Sequence, residues 1–349
     1  MVEKDLREVN KIIDELNTKY KGSSIIRGAG DLKIDKISTG LVSVDKLFGG
    51  GIPKRRWTMM YGQKGAGKTS LNYKIIGLIQ EAGGKAVYVD AEHAFDPNYA
   101  KEMGVDLDSL IFCSPTTLEE SETIVQKFAP VVDLIVVDSI VAVASEQESE
   151  RELEKDTMAL GARKLSQFFR VVTPIVGKSN AAVILVNQTR MDLGAYVPID
   201  RYPGGHALAH YCSFIMKMRR SSYKDFPMGE VEGPDGKKKE EAIGIRIVLH
   251  AEKSKISNTE GKETCFDLLK EFPHFDEYTD LLLAAEMEGY IVHQGAWFQT
   301  VLTGEEKFQG RDSVLKALRE KEKLFEGLKA KVLGIEKSEA KNEKKTGKD

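Results

Sequence analysis

Trp57-Thr58-Met59-Met60-Tyr61-Gly62-Gln63-Lys64-Gly65-Ala66-Gly67-Lys68-Thr69-Ser70 is the stretch on which the fold turns. Residues 57–61 are mostly apolar and read as a buried strand. Residues 69–82 repeat apolar positions at a helical spacing. Between them, residues 62–69 match G-x-x-x-x-G-K-[ST], and a strand before and a helix after are the context in which that motif wraps a phosphate. The glycines allow backbone angles that a Cβ would obstruct. Backbone amides and the helix N-terminus then face the phosphate oxygens. Lys68 would neutralise the β- and γ-phosphates, and the Thr69 hydroxyl, with Ser70 beside it, would meet Mg²⁺. The expectation is a nucleotide site formed by Gly62, Gln63, Lys64, Gly65, Ala66, Gly67, Lys68, Thr69 and Ser70, with ATP or GTP as ligand.

Outward from that loop, residues 35–270 alternate short apolar runs with helical stretches. The clearest strands are 57–61, 86–89, 134–137, 182–186, 213–218 and 243–250; the clearest helices are 69–82, 118–128 and 158–177. Continuous apolar strands separated by helices predict an α/β fold with a mostly parallel sheet covered on both faces. Gly233-Pro234-Asp235-Gly236 marks a hairpin tip between the last two strands. Residues 146–157, nearly all charged or polar, and 191–206, rich in Gly, Pro and Tyr, read as mobile loops. Residues 1–34 hold a helix with an apolar stripe of Val9, Ile12, Ile13 and Leu16, which must bury itself on its own body or on a neighbouring subunit. Residues 271–333 read as a small C-terminal α+β domain with helices at 281–288 and 313–333, and residues 334–349 as a disordered charged tail.

Composition narrows the function classes. The chain has 349 residues, 41% of them hydrophobic, and a net charge of −3. No run of 18 apolar residues exists, so no transmembrane helix is expected, and the charged N-terminus lacks the apolar stretch of a secretory signal. Three scattered cysteines, Cys113, Cys212 and Cys265, argue against a structural zinc site or a disulfide framework and fit a reducing cytoplasm. The net charge gives no support for a nucleic-acid partner. Its distribution is more telling: residues 163–220 hold nine Lys or Arg against two Asp. On charge alone this is a solvated basic face.

Two carboxylates complete the chemistry. Leu134-Ile135-Val136-Val137-Asp138 is a buried strand that delivers Asp138 to the carboxyl edge of the sheet, where ligands collect in open α/β folds. There Asp138 would hold Mg²⁺ through water. Tyr88-Val89-Asp90-Ala91-Glu92 ends another strand in acids, and Glu92 is the candidate base that orients a water in line with the γ-phosphate. His93 beside it reads as structural.

With these residues in view, the sequence resembles the bacterial RecA recombinase family from about residue 22 to about residue 320. The matches are Ile37-Ser38-Thr39-Gly40, the segment from Asp90 through Asp96-Pro97-Asn98-Tyr99-Ala100, Val137-Asp138-Ser139, Val186-Asn187-Gln188-Thr189-Arg190-Met191, Gly204-Gly205-His206-Ala207-Leu208 and Gly295-Ala296-Trp297-Phe298, all in family order. The resemblance implies a P-loop NTPase core that polymerises as a helical filament on single-stranded DNA and pairs it with double-stranded DNA, hydrolysing ATP with Mg²⁺. Glu92 would be the catalytic carboxylate. Asp96 and Tyr99 would contact adenine, and Gln188 would sense the γ-phosphate and relay it to the following loop. Residues 151–158, with Leu153 and Met158, would form a first DNA-binding loop. A second, at 190–205, would carry Arg190, Met191, Gly204 and Gly205. Arg163 and Arg170, seven apart on one helix face, would contact DNA, and Lys253 and Lys255 would reach the ATP of a neighbouring subunit.

The departures from the family pattern matter. Lys64 stands where an acidic residue is usual. Residues 151–158 lack the glycines common in the first loop. The second loop is about one residue shorter, with Asp192 in place of a lysine. The tail is rich in lysine where the family's is acidic, so self-inhibition by a tail is not carried over. Such divergence would suit a phage-encoded or otherwise specialised member. Two rival readings follow: a DNA-binding regulatory paralogue without strand exchange, and a hexameric helicase motor, which the GAWF segment and the C-terminal domain fit less well.

Overall fold

The computed structural model describes residues 2–20, 34–139, 157–192, 199–232, 238–272, 274–300 and 307–334. Residues 151–156 of the expected first DNA-binding loop, with Leu153, the tip of the second loop, the Gly233–Gly236 turn and residues 335–349 of the charged tail lie outside them, while residues 157–158 of the first loop are helical.

The chain divides into two units, 1–35 and 36–349. In the first, α1 (Val2–Lys19) leaves Val9 and Ile12 exposed, with Ile13 and Leu16 half-buried.

The second unit is built on an eight-stranded sheet. Its strands are β3 (Trp57–Gly62), β4 (Ala86–Asp90), β5 (Ile111–Cys113), β6 (Leu134–Asp138), β7 (Ala182–Gln188), β10 (Phe214–Arg220), β13 (Gly244–Ser254) and β14 (Glu263–Leu269), in the spatial order β14-β13-β10-β3-β7-β6-β4-β5. From β10 to β5 every pairing is parallel, and β13 and β14 add an antiparallel margin. Short pairs lie outside this sheet: β1 (Lys36–Ile37) with β2 (Ile52–Pro53), β8 (Arg190–Asp192) with β9 (Ile199–Arg201), and β11 (Met228–Glu232) with β12 (Lys238–Ala242).

Side chains alternate across β3, and both faces are covered. Trp57, Met59 and Tyr61 join the cluster under α5 (Leu118–Phe128) and α6 (Thr157–Lys178), where Phe168, Phe169, Val172 and Val176 are buried. Met60 faces the opposite cluster with Leu71, Ile75 and Ile76 of α3 (Lys68–Glu81). Trp57 is held in register by its indole N–H, which donates to Thr173 Oγ1 at 3.0 Å, and by edge contact with Phe169. The remaining α-helices among the described residues are α2 (Val42–Leu47), α4 (Pro97–Glu102), α7 (Gly205–Tyr211), α8 (Glu277–Met287), α9 (Arg311–Glu320) and α10 (Glu322–Leu333). The last three, with the sheet β15 (Ile291–Gln294), β16 (Trp297–Thr300) and β17 (Lys307–Gln309), enclose a third apolar cluster that takes in Val42 of α2.

Three sequence expectations need correction. Residues 313–333 are two helices, because the chain leaves helical angles at Lys321. The Gly233–Gly236 turn does not join β10 to β13 directly; the ribbon of β11 and β12 is inserted between them. The described ends of the 191–206 segment are ordered as the β8–β9 ribbon and the start of α7 rather than as free loop.

Candidate active site

Strand β3 ends on Gly62, and the chain turns back through Gly65 and Gly67, both at positive φ, into α3. Gly62 permits a close approach: a Cβ there would lie 2.0 Å from the Met218 carbonyl oxygen on β10. Gly67 stands at the N-cap of α3 in the left-handed region, which leaves the helix N–H groups open to an anion.

Lys68 is buried, and its ammonium folds back over the loop, donating to the carbonyls of Gly62 at 2.8 Å and Gln63 at 2.9 Å. Burial lowers its pKa, while the Asp138 and Glu92 carboxylates pull it up. Thr69 Oγ1 stands 3.5 Å from Asp138 Oδ2. Burial drives the Asp138 carboxyl up to about 6, against a hydrogen bond from Tyr88 at 2.9 Å. The Asp138–Ser139 peptide is cis. Thr69 and Asp138 supply two hard oxygen donors side by side, a pair that fits Mg²⁺.

Glu92 is brought beside this pair because its backbone N–H and that of Ala91 donate to the Asp138 carbonyl. Asp90, buried under the turn, accepts from the N–H groups of Ala94 and Phe95 and so shapes the segment that presents Glu92. Gln188, the last residue of β7, donates from Nε2 to Glu92 Oε2 at 2.8 Å. His93 bonds Ser114 through Nδ1 at 2.8 Å.

On the flank of α3, Ser70 Oγ and Tyr99 OH are 2.6 Å apart. Asp96 is the N-cap of α4, accepting from the N–H groups of Asn98 and Tyr99. This cap fixes the direction in which Tyr99 leaves the helix. Lys64 is exposed on the loop.

Arg163 and Arg170 are exposed on α6, two turns apart, and Met158 lies in its first turn. Arg190 and Met191 lie on β8, while Gly204 caps α7 and Gly205 begins it. The base of this second segment is tied shut: Asn187 Nδ2 donates to the Pro203 carbonyl at 2.9 Å. Lys253 and Lys255 stand away from this chain's own phosphate loop. Lys253 Nζ donates to the carbonyls of Ala209 and Cys212, and Lys255 Nζ to that of His210, so both ammonium groups sit at the C-terminal end of α7. The basic run at 163–220 is partly committed elsewhere, Lys164 to Glu119 at 3.1 Å and Arg219 to Glu263 at 3.6 Å.

Sequence reasoning did not find the Tyr88 bond to Asp138, the Ser70–Tyr99 contact, the Asn187 tie or the resting place of the two lysines. Each joins residues far apart in the chain, and no local spacing signals them. The doubling of acids at 90 and 92 was the one hint that Asp90 has a separate task.

A parallel sheet whose central strand ends in a glycine-rich loop, with lysine, hydroxyl and carboxylate gathered at its carboxyl edge, defines a P-loop nucleotide-binding protein. The RecA N-terminal domain family matches residues 7–269. Protein RecA of Chlorobium limicola is 34% identical over 331 residues, covering 92% of this chain and 89% of that protein. Protein RecA of Thermus aquaticus is 37% identical over 308 residues, 86% of each. Protein RecA of a Nostoc species is 32% identical over 333 residues, 93% of this chain and 88% of that one. The chain belongs to the RecA family.

Proposed function

We propose that the chain is an ATP-dependent DNA recombinase that coats single-stranded DNA as a helical filament, pairs it with homologous double-stranded DNA and exchanges strands while hydrolysing ATP. The observation that carries this reading is the 2.8 Å bond from Gln188 to Glu92. It joins the candidate catalytic carboxylate to the end of β7, two residues before the segment expected to hold DNA, so a change in either is felt by the other. Membership of the RecA family supports the same activity.

In this account, Lys68 leaves the Gly62 and Gln63 carbonyls and turns to the β- and γ-phosphate oxygens of ATP. Thr69 and Asp138 would hold Mg²⁺, which when bound would neutralise phosphate charge. Tyr99, fixed by Ser70 and by the α4 cap, stacks on adenine. The Gln188 amide exchanges Glu92 for a γ-phosphate oxygen, and the freed Glu92 orients the attacking water. DNA held along Arg190, Met191 and the Gly204–Gly205 turn shifts the end of β7 and sets that exchange. Lys253 and Lys255 leave α7 and supply positive charge to the neighbouring subunit's ATP, as arginine fingers do, so hydrolysis waits on assembly. Many copies of Arg163 and Arg170 along one axis attract the DNA backbone although each subunit carries a charge of −3. Such work belongs to the cytoplasm. Among the described residues, no helix is long and apolar enough to cross a membrane.

The test is joint-molecule formation between a single strand and a homologous supercoiled duplex, with ATP and Mg²⁺. Joint molecules with the homologous duplex and none with a heterologous one are expected. DNA binding without joint molecules would replace recombinase by regulatory paralogue.

A further inference from the structure

Strand β10 runs parallel to β3 and pairs with it up to the level of Met218 and Gly62. There β3 leaves the sheet as the phosphate loop, and β10 continues for two more residues beside β13, with Arg220 opposite Ile247. Alternation along the strand puts Arg220 on the same face as Met218, the face that packs on α3. The register therefore carries the Arg220 side chain out over the loop.

The contact it makes is specific. Arg220 Nε donates to the Gly65 carbonyl at 2.7 Å. A Cβ built on Gly65 would stand 2.3 Å from Arg220 Nη2, so the guanidinium occupies the place a side chain would take. Gly65 itself has φ +75°. With Met218 against Gly62, β10 touches the loop at both residues. Arg219, one residue earlier, faces the other way, to Glu263.

We propose that Arg220 is a positioning residue of the nucleotide site, bracing the phosphate loop from outside through the Gly65 carbonyl. A guanidinium on that carbonyl fixes the plane of the Gly65–Ala66 peptide, whose N–H belongs to the loop that receives the phosphates. Donation to the carbonyl oxygen also polarises the peptide and strengthens its N–H as a donor. A glycine-rich loop has many conformations to lose on binding, and a brace already in place lowers that cost. Because α7 leads directly into β10, the same strand ties the loop to the element on which Lys253 and Lys255 rest. Arg220 thus leaves the basic run that charge counting assigned it to and joins the nucleotide machinery.

The inference rests on the nucleotide reading of the loop, and the two are tested separately. Binding of a fluorescent N-methylanthraniloyl-ADP to the full chain without DNA tests the nucleotide site itself. The ratio of variant to wild-type Kd tests the brace. Arg220→Gln is expected to weaken binding roughly tenfold, the lower end of the range for losing a hydrogen bond from a charged group, because Arg220 is exposed to solvent. Arg220→Lys, which keeps a donor, recovers most of the loss. Arg219→Gln, which removes the same charge one residue away, leaves Kd unchanged. In steady state, Arg220→Gln raises KM for ATP and keeps kcat. Wild-type affinity in Arg220→Gln overturns the proposal. So does an equal loss in Arg219→Gln, which reduces the effect to bulk charge, and so does a lowered kcat with KM unchanged.

Discussion

At the scale of single residues, the site is a set of groups held by one another. Lys68 rests on two carbonyls, and Gln188 rests on Glu92. Lys68→Ala removes the only ammonium the loop buries, so nucleotide binding and hydrolysis are both expected to be lost; equilibrium binding of labelled ATP checks it, and normal turnover would refute the assignment. Gln188→Ala should leave affinity for ADP, which lacks the γ-phosphate, largely unchanged but abolish stimulation by DNA, because the amide contacts the candidate catalytic carboxylate and not the loop. A variant still stimulated by DNA would remove Gln188 from the relay. The residues legible in the sequence were those with a fixed spacing on one strand or loop: the 62–69 segment, Asp138 and Glu92. Tyr88, Ser70, Asn187 and Arg220 were not legible as partners, because their roles depend on which strands lie side by side.

Elements explain how the site is held to the rest of the chain. Helix α7 links the Gly204–Gly205 turn at one end to Lys253 and Lys255 at the other, and cations at a helix C-terminus are favoured by its dipole. The small helix α2 has no cap of its own from Leu41; Asp280 of α8 supplies it, accepting from the Ser43 N–H and hydroxyl. Burial raises the Asp280 carboxyl to about 7, against the bonds from Ser43. An unfolded aspartate titrates near ~3.9. Between those values the folded chain keeps a proton that the unfolded chain has released, so this group makes stability fall as pH rises from about 4 to about 7. Asp280→Asn should flatten that dependence: thermal melts at pH 5 and pH 8 are expected to differ less in the variant than in the wild type. An unchanged pH slope would show that Asp280 does not carry it. The core strands were legible because both faces are buried, which leaves continuous apolar runs at 57–61, 134–137 and 182–186. Strand β14 mixes charge with apolar residues at the sheet margin and gave no such run. The break between α9 and α10 falls at a lysine, with no glycine or proline to announce it.

For the whole molecule, the proposed chemistry requires an assembly rather than one chain. Lys253 and Lys255 lie away from their own chain's phosphate loop, so their proposed chemistry needs a second subunit. The double variant Lys253→Ala, Lys255→Ala should bind ATP nearly as the wild type does and lose DNA-stimulated hydrolysis, as measured by phosphate release. Surviving stimulation would exclude action across an interface. Electron microscopy with single-stranded DNA and a non-hydrolysable ATP analogue should show helical filaments; closed rings would favour a helicase-like motor. The mostly parallel core and the family were legible in the sequence, because six motifs stand in one order. The resting contacts of the two lysines were not, since they depend on α7 packing beside β13. The most direct test of the central claim is the rate of ATP hydrolysis by the full chain with and without single-stranded DNA. A low rate alone and a rise of at least tenfold with DNA are expected, a floor well below the roughly hundredfold or more that a correctly placed base or cation contributes; a rate indifferent to DNA would contradict the recombinase reading.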